Sequence, residues 1–116
     1  MKSIIYHFRT KKNLNSTMKR ISYSYIHGFA SSGNSTKGRA IQEMIPHILL
    51  PTLYTDFDRY TVSDALRAMN EMHETERKRR GGGDLKWRFV GSSLGGYLSS
   101  KWAEQNPDCV DRVRVR

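Results

Sequence analysis

The hexapeptide Gly91-Ser92-Ser93-Leu94-Gly95-Gly96 restricts the fold of this chain more than any other segment. Upstream, Leu85-Lys86-Trp87-Arg88-Phe89-Val90 has the aromatic and apolar make-up of a strand. Downstream, residues 94–105 read as a helix that stops at Asn106-Pro107. A strand that passes into a helix through G-x-S-x-G must turn sharply, and the turn pushes the central serine, Ser93, outward. Side chains at Gly91 and Gly95 would collide with the turn, which is a steric reason for glycine at both positions. The positive end of the helix dipole lies under the serine hydroxyl. The backbone N–H of Leu94 is then placed to stabilise an oxyanion. The plain alternative is a glycine-rich turn holding an incidental serine; the strand-then-helix context favours a nucleophile.

The rest of the chain alternates in the same way. Residues 21–27 alternate in polarity and run into Gly28, as a strand does. Residues 30–35 have loop composition, and Ser35 is placed to cap a helix over about residues 36–45 with Ala40, Ile41, Met44 and Ile45 on one face. Ile48-Leu49-Leu50, held between Pro46 and Pro51, predicts a brief buried strand. Thr61 and Asp64 resemble a capping box ahead of a helix over residues 62–79, whose apolar stripe is Val62, Ala65, Leu66, Met69 and Met72. The methionines in that stripe read as core rather than as a cofactor site. Residues 109–116 complete a β-α-β-α-β-α-β order, the pattern of a parallel α/β sheet.

Charge divides the chain unevenly. The net charge is +9 over 116 residues, yet no Asp or Glu precedes Glu43. The basic stretch over residues 1–18 fits an extension ahead of the domain, an organellar transit peptide or a nucleic-acid-binding arm. It reads as a disordered extension, with the domain over residues 19–116. The expected location is cytoplasmic, with mitochondrial import as the alternative. Arg77-Lys78-Arg79-Arg80 ahead of Gly81-Gly82-Gly83 reads as a solvated helix end stopped by glycine. Those glycines precede a strand, so they make neither a Walker loop nor a dinucleotide loop. The lone Cys109 excludes an internal disulfide and a cysteine-based zinc cluster. No cofactor or metal is expected, and no apolar run is long enough to suggest a membrane span.

A second segment sharpens the reading of Ser93. The run from His27-Gly28-Phe29 to Lys37, together with the later G-x-S-L-G-G, resembles the α/β-hydrolase superfamily and, within it, small YqiA-like esterases. Those read roughly H-G-F-x-S-S-P-x-S-x-K there; this chain has Gly33 at the proline position. The resemblance covers about residues 21–113. It implies a three-layer α/β/α fold with a parallel sheet of the hydrolase type. It further implies a serine hydrolase acting on a small ester through an acyl-enzyme, with Ser93 as nucleophile and the N–H groups of Phe29 and Leu94 as the oxyanion hole. His27 would organise the loop rather than act as base.

Part of that apparatus is absent. The triad of this fold runs Ser, acid, His along the chain. After Ser93 there are Asp108 and Asp111 but no histidine. His47 and His73 precede the serine and read as a strand-edge and a helix-surface residue. Neither aspartate sits where the family acid would. Arg112, Arg114 and Arg116 are poor choices for a strand buried on both faces. The chain therefore reads as the N-terminal portion of a hydrolase, cut off after the elbow helix and the following strand, with little or no activity by itself. The competing readings are an inactive remnant that binds a ligand or protein, and a basic nucleic-acid-binding protein.

Overall fold

The computed structural model describes residues 4–7, 20–29, 31–54 and 60–116. The described strands are β1 (Ile4–His7), β2 (Ile21–Ile26), β3 (Lys86–Gly91) and β4 (Val110–Val115). The helices are α1 (Thr36–Met44), α2 (Val62–Arg79) and α3 (Leu94–Gln105), with a 3-10 turn at Pro107–Cys109 before β4. Strand order is β1-β4-β3-β2, in which β2, β3 and β4 run parallel and β1 lies antiparallel on the outer side of β4.

Period-2 alternation sorts the side chains onto two faces. Ile26, Trp87, Phe89, Val110 and Val113 face α2 and α3 and form the main core with Met69, Leu98 and Trp102. Tyr25 faces the other way, onto Ile41 of α1 and Ile48. Helices therefore cover both faces, the three-layer α/β/α arrangement. Trp87 stacks on Phe89 with ring centroids 5.4 Å apart, and Phe89 meets Trp102 edge-on at 5.8 Å. Such pairs add about 0.5–1.5 kcal/mol each beyond burial. β4 is buried on one face only: Val110 and Val113 point into the core while Arg112 and Arg114 are exposed, which is how a strand so rich in arginine is accommodated.

The helix ends follow the sequence signals. Ser35 Oγ accepts from Gly38 N at 3.1 Å, and Thr61 with Asp64 forms a full capping box. At the end of α2, Gly81 N bonds Lys78 O and Gly82 N bonds Arg77 O, a Schellman pairing that requires the positive φ these glycines adopt.

Five expectations need correction. Residues 1–18 read as a disordered extension, but Ile4–His7 is strand β1, because the outer edge of β4 offers an unpaired backbone ladder. The other residues of that stretch lie outside the described residues. The strand expected at residues 48–50 reduces to one parallel bridge between Leu49 and Ser24, since Pro51 has no N–H and restricts the residue before it. On α1 the buried positions are Gly38 and Ile41, while Ala40 and Met44 are exposed. Close approach at Gly38 turns the covered stripe around the helix. Val62 is exposed rather than core. At the basic end of α2, Lys78 and Arg79 are exposed as expected, but Arg80 is tied down, donating to Ile21 O at 2.7 Å and Ser22 Oγ at 2.9 Å.

Candidate active site

The parallel strands end together, with Ile26 opposite Gly91 and Gly91 opposite Val115. The chain leaves β3 at this edge and enters α3 through Ser93, which has φ 55° and ψ −118°. Among the described residues it is the one non-glycine with positive φ. Holding a serine in that region costs on the order of 1–3 kcal/mol, which the surroundings must overcome. They do so by close packing. A Cβ at Gly91 would lie 2.5 Å from Gly96 Cα, and one at Gly95 would lie 1.9 Å from Ile26 O. Gly95 N donates to Ser92 O and Gly96 N to Ser93 O, both at 2.9 Å, and Ser99 Oγ donates to Gly95 O at 2.7 Å. Ser93 makes no side-chain cap to its own helix and is exposed.

The loop after β2 comes up against this turn. A Cβ on Gly28 would sit 3.1 Å from Ser92 O and 3.5 Å from Ser93 Cβ, so the two segments singled out by sequence are neighbours. His27 anchors the loop from below and is fully buried. Its Nδ1–H donates to Gly28 O at 3.0 Å, and its Nε2 accepts from Leu53 N at 3.1 Å. Burial holds its pKa below the usual 6.5, although the bond to Gly28 opposes this. Tyr54 packs on the His27 ring and donates its hydroxyl to His27 O. Burial, with a smaller contribution from Tyr25, pushes the Tyr54 phenol well above its ordinary range. Gly33 N donates to Thr52 Oγ1 at 3.2 Å, a bond that a proline at that position could not make.

Phe29 and Leu94 line one pocket of about 240 Å³ beside the turn, along with Tyr54, Tyr60, Val62 and Leu98. Phe29 is 65% exposed. This pocket explains the exposed Val62: it borders the cleft rather than the core.

None of the histidines whose side chains are described brings its ring to Ser93. Both ring nitrogens of His27 are engaged. His47 meets Tyr23 edge-on at 4.7 Å. His73, expected on the surface of α2, is half-buried at the opposite end of the sheet, where Trp87 Nε1 donates to its Nδ1 at 3.0 Å. Asp108 lies in the turn before β4, and Asp111 pairs with Arg88 at 2.7 Å. Both are therefore at the start of β4, away from the edge that carries the serine. The sequence held no signal for Tyr54, nor for the bond of 3.0 Å from Lys37 Nζ to Ser92 Oγ.

The profile of an uncharacterised protein family, UPF0227, matches residues 22–107. The chain belongs to this family. The match spans both the loop after β2 and the elbow, which bears out the resemblance to YqiA-like α/β hydrolases. Among solved structures, this chain is similar to the alpha/beta hydrolase domain-containing protein 10 from mouse, with a TM-score of 0.56 and 18% identity. That likeness covers 93% of this chain and 41% of the mouse protein, so the chain spans about two fifths of its relative's length. At that identity the likeness establishes the α/β-hydrolase fold. Comparison with curated proteins finds no match. No helix among the described residues is long and apolar enough to cross a membrane.

Proposed function

We propose that this member of UPF0227 is a carboxylic-ester hydrolase in which Ser93 is the nucleophile. The observation that carries the reading is the backbone of Ser93, φ 55° and ψ −118°, at a strand-to-helix turn that leaves its hydroxyl exposed. Strain at a polar, nucleophilic side chain is what an elbow needs and what a plain turn would avoid. In the reaction, Ser93 Oγ attacks the ester carbonyl carbon and its proton passes to a base, which the described histidines do not supply and which returns the proton to the departing alcohol. The carbonyl oxygen takes up the negative charge, and the N–H groups of Phe29 and Leu94 receive it. Collapse expels the alcohol and leaves an acyl group on Ser93, which water then removes. Each oxyanion donor of this kind is worth about 2.7–4 kcal/mol. The apolar pocket between Phe29 and Leu94 suits the acyl group.

The test is stoichiometric labelling by an alkyl fluorophosphonate with imidazole added as an external base, read by intact mass and peptide mapping. Serine oxygen bonds to phosphorus, fluoride leaves and the imidazole takes the hydroxyl proton, so a single event suffices. Label on Ser93, lost in Ser93→Ala, is expected. Absence of label, or label spread over other serines, would overturn the reading.

A further inference from the structure

Lys37 stands on the first turn of α1 and reaches across to the elbow. Its Nζ donates to Ser92 Oγ at 3.0 Å, joining residues 55 apart in sequence. Ser92 is buried and directly precedes Ser93. Among the described residues this is the side-chain hydrogen bond between α1 and the turn from β3 to α3, and Lys37 makes no ion pair with them. A charge-assisted bond to a buried hydroxyl adds energy and ties the two segments together. The loop that carries Gly28 and Phe29 is held at one end by β2 and at the other by α1. Ser92 is likewise one residue from the nucleophile and two from Leu94.

We propose that Lys37 is a positioning residue of the Ser93 site, setting the spacing between the Phe29 and Leu94 N–H groups by locking the start of α1 to Ser92. The proposal rests on the assignment of Ser93 as nucleophile. Oxyanion donors act only when they meet the developing charge at hydrogen-bond distance, so a loop free to shift loses rate before it loses fold. Misplacement by an ångström can cost a factor of about 100.

The experiment measures the rate of fluorophosphonate labelling at Ser93 together with the thermal midpoint. Lys37→Met removes the donor and keeps the aliphatic stem; Lys37→Arg restores a charged donor. Ser92→Ala removes the acceptor from the opposite side, which keeps the test open if one variant folds poorly. The expected result is a slowing of about 10-fold or more in Lys37→Met and in Ser92→Ala, with no further loss in the double variant and recovery in Lys37→Arg. Thermal midpoints should fall by about 4–8 °C at most, which leaves the chain folded at the assay temperature. Unchanged labelling in both single variants overturns the proposal and leaves Ser93 as nucleophile. A slowing accounted for by the fraction unfolded at the assay temperature makes the bond a structural tie only, which also overturns it. No labelling at Ser93 in the wild-type chain removes the assignment beneath it, and this proposal falls with it.

Discussion

Trp87 and His73 share a hydrogen bond that fixes the histidine tautomer: the indole Nε1–H donates to Nδ1 at 3.0 Å, so the ring proton belongs on Nε2. Protonating Nδ1 would turn the acceptor into a second donor facing the indole. Burial holds the His73 pKa below its usual 6.5, Glu74 opposes that shift, and Arg77 adds to it.

That relationship predicts an acid-side loss of stability. The folded pKa lies below the unfolded one, so the unfolded chain binds more protons as pH falls through 6.5. Stability is expected to decline from about pH 6.5 downward, until the folded-state pKa is passed. His27 contributes in the same direction, because burial lowers its pKa too. Urea midpoints at pH 7.5, 6.5 and 5.5 should fall in that order, and should fall less steeply in His73→Gln. A flat profile would show that neither ring is held neutral by the fold.

Glu76 governs a second, more acidic window. It is 5% exposed, accepts from Ser22 Oγ at 2.8 Å and is paired with Arg79. The Arg79 bond, ahead of the Ser22 bond, holds its pKa below the usual 4.5 against the opposing effect of burial. With the folded pKa depressed, the contribution is complete above about 4.5 and is lost as pH drops through the folded value. Glu76→Gln is expected to cost about 1–3 kcal/mol near neutral pH, with the lower end favoured because the Arg79 side chain is largely solvent-screened. Denaturant unfolding at pH 7 and pH 4 should show the variant and wild type converging at the lower pH.

Two glycines separate crowding from backbone strain. At Gly95 a Cβ would sit 1.9 Å from Ile26 O and 2.6 Å from His27 O, both rigid backbone atoms of β2 and its exit. At Gly82 the nearest atom is Arg77 Nη1 at 3.8 Å, and the only penalty is a φ of 80°. Gly95→Ala should therefore cost well over the ~1–3 kcal/mol typical of overpacking, while Gly82→Ala should cost about 1 kcal/mol. Chemical denaturation of the two variants side by side checks the order; similar losses would mean the elbow can open to admit a side chain.

The elements that the sequence made legible are those whose cause is local. Ser35, Thr61 with Asp64, and the triple glycine each act within one turn of a helix, and each works as its chemistry predicts. Gly91 and Gly95 were legible because the strand and helix they join both show in the pattern. What stayed hidden depends on contacts distant in sequence. His73 and Glu76 look like surface residues of a polar helix until Trp87 and Ser22 arrive from strands. The antiparallel pairing of β1 needs the free edge of β4, and the Lys37 bond needs α1 to lie beside an elbow 55 residues away. Periodicity on α1 suggests a stripe through Ala40 and Met44, but the close approach is at Gly38, where a Cβ would lie 2.1 Å from Gly33 O and 3.2 Å from Tyr25 Cδ2.

Ester turnover by the 116-residue chain is expected to stay near background, despite an elbow built as nucleophile chemistry requires. A serine hydroxyl needs a base, and positioned general-base assistance contributes about 10²–10⁴-fold. His27 has both ring nitrogens committed, His47 lies against Tyr23, and His73 serves Trp87 at the far end of the sheet. The helix dipole under Ser93 is worth only about 0.3–2 kcal/mol, too little to replace that assistance. In a p-nitrophenyl ester assay, the wild-type chain and Ser93→Ala should therefore give equal rates close to buffer alone. Labelling by a fluorophosphonate with imidazole added should still mark Ser93, because the external base takes the proton and a single displacement needs no turnover. A version of the chain that carries an acid and a histidine positioned at Ser93 should gain Ser93-dependent turnover of the order that a base supplies. Brisk, Ser93-dependent hydrolysis by the 116-residue chain itself would instead mean that one of its own side chains takes the proton. His47→Gln and His73→Gln in the same assay would then show whether either ring is the acceptor.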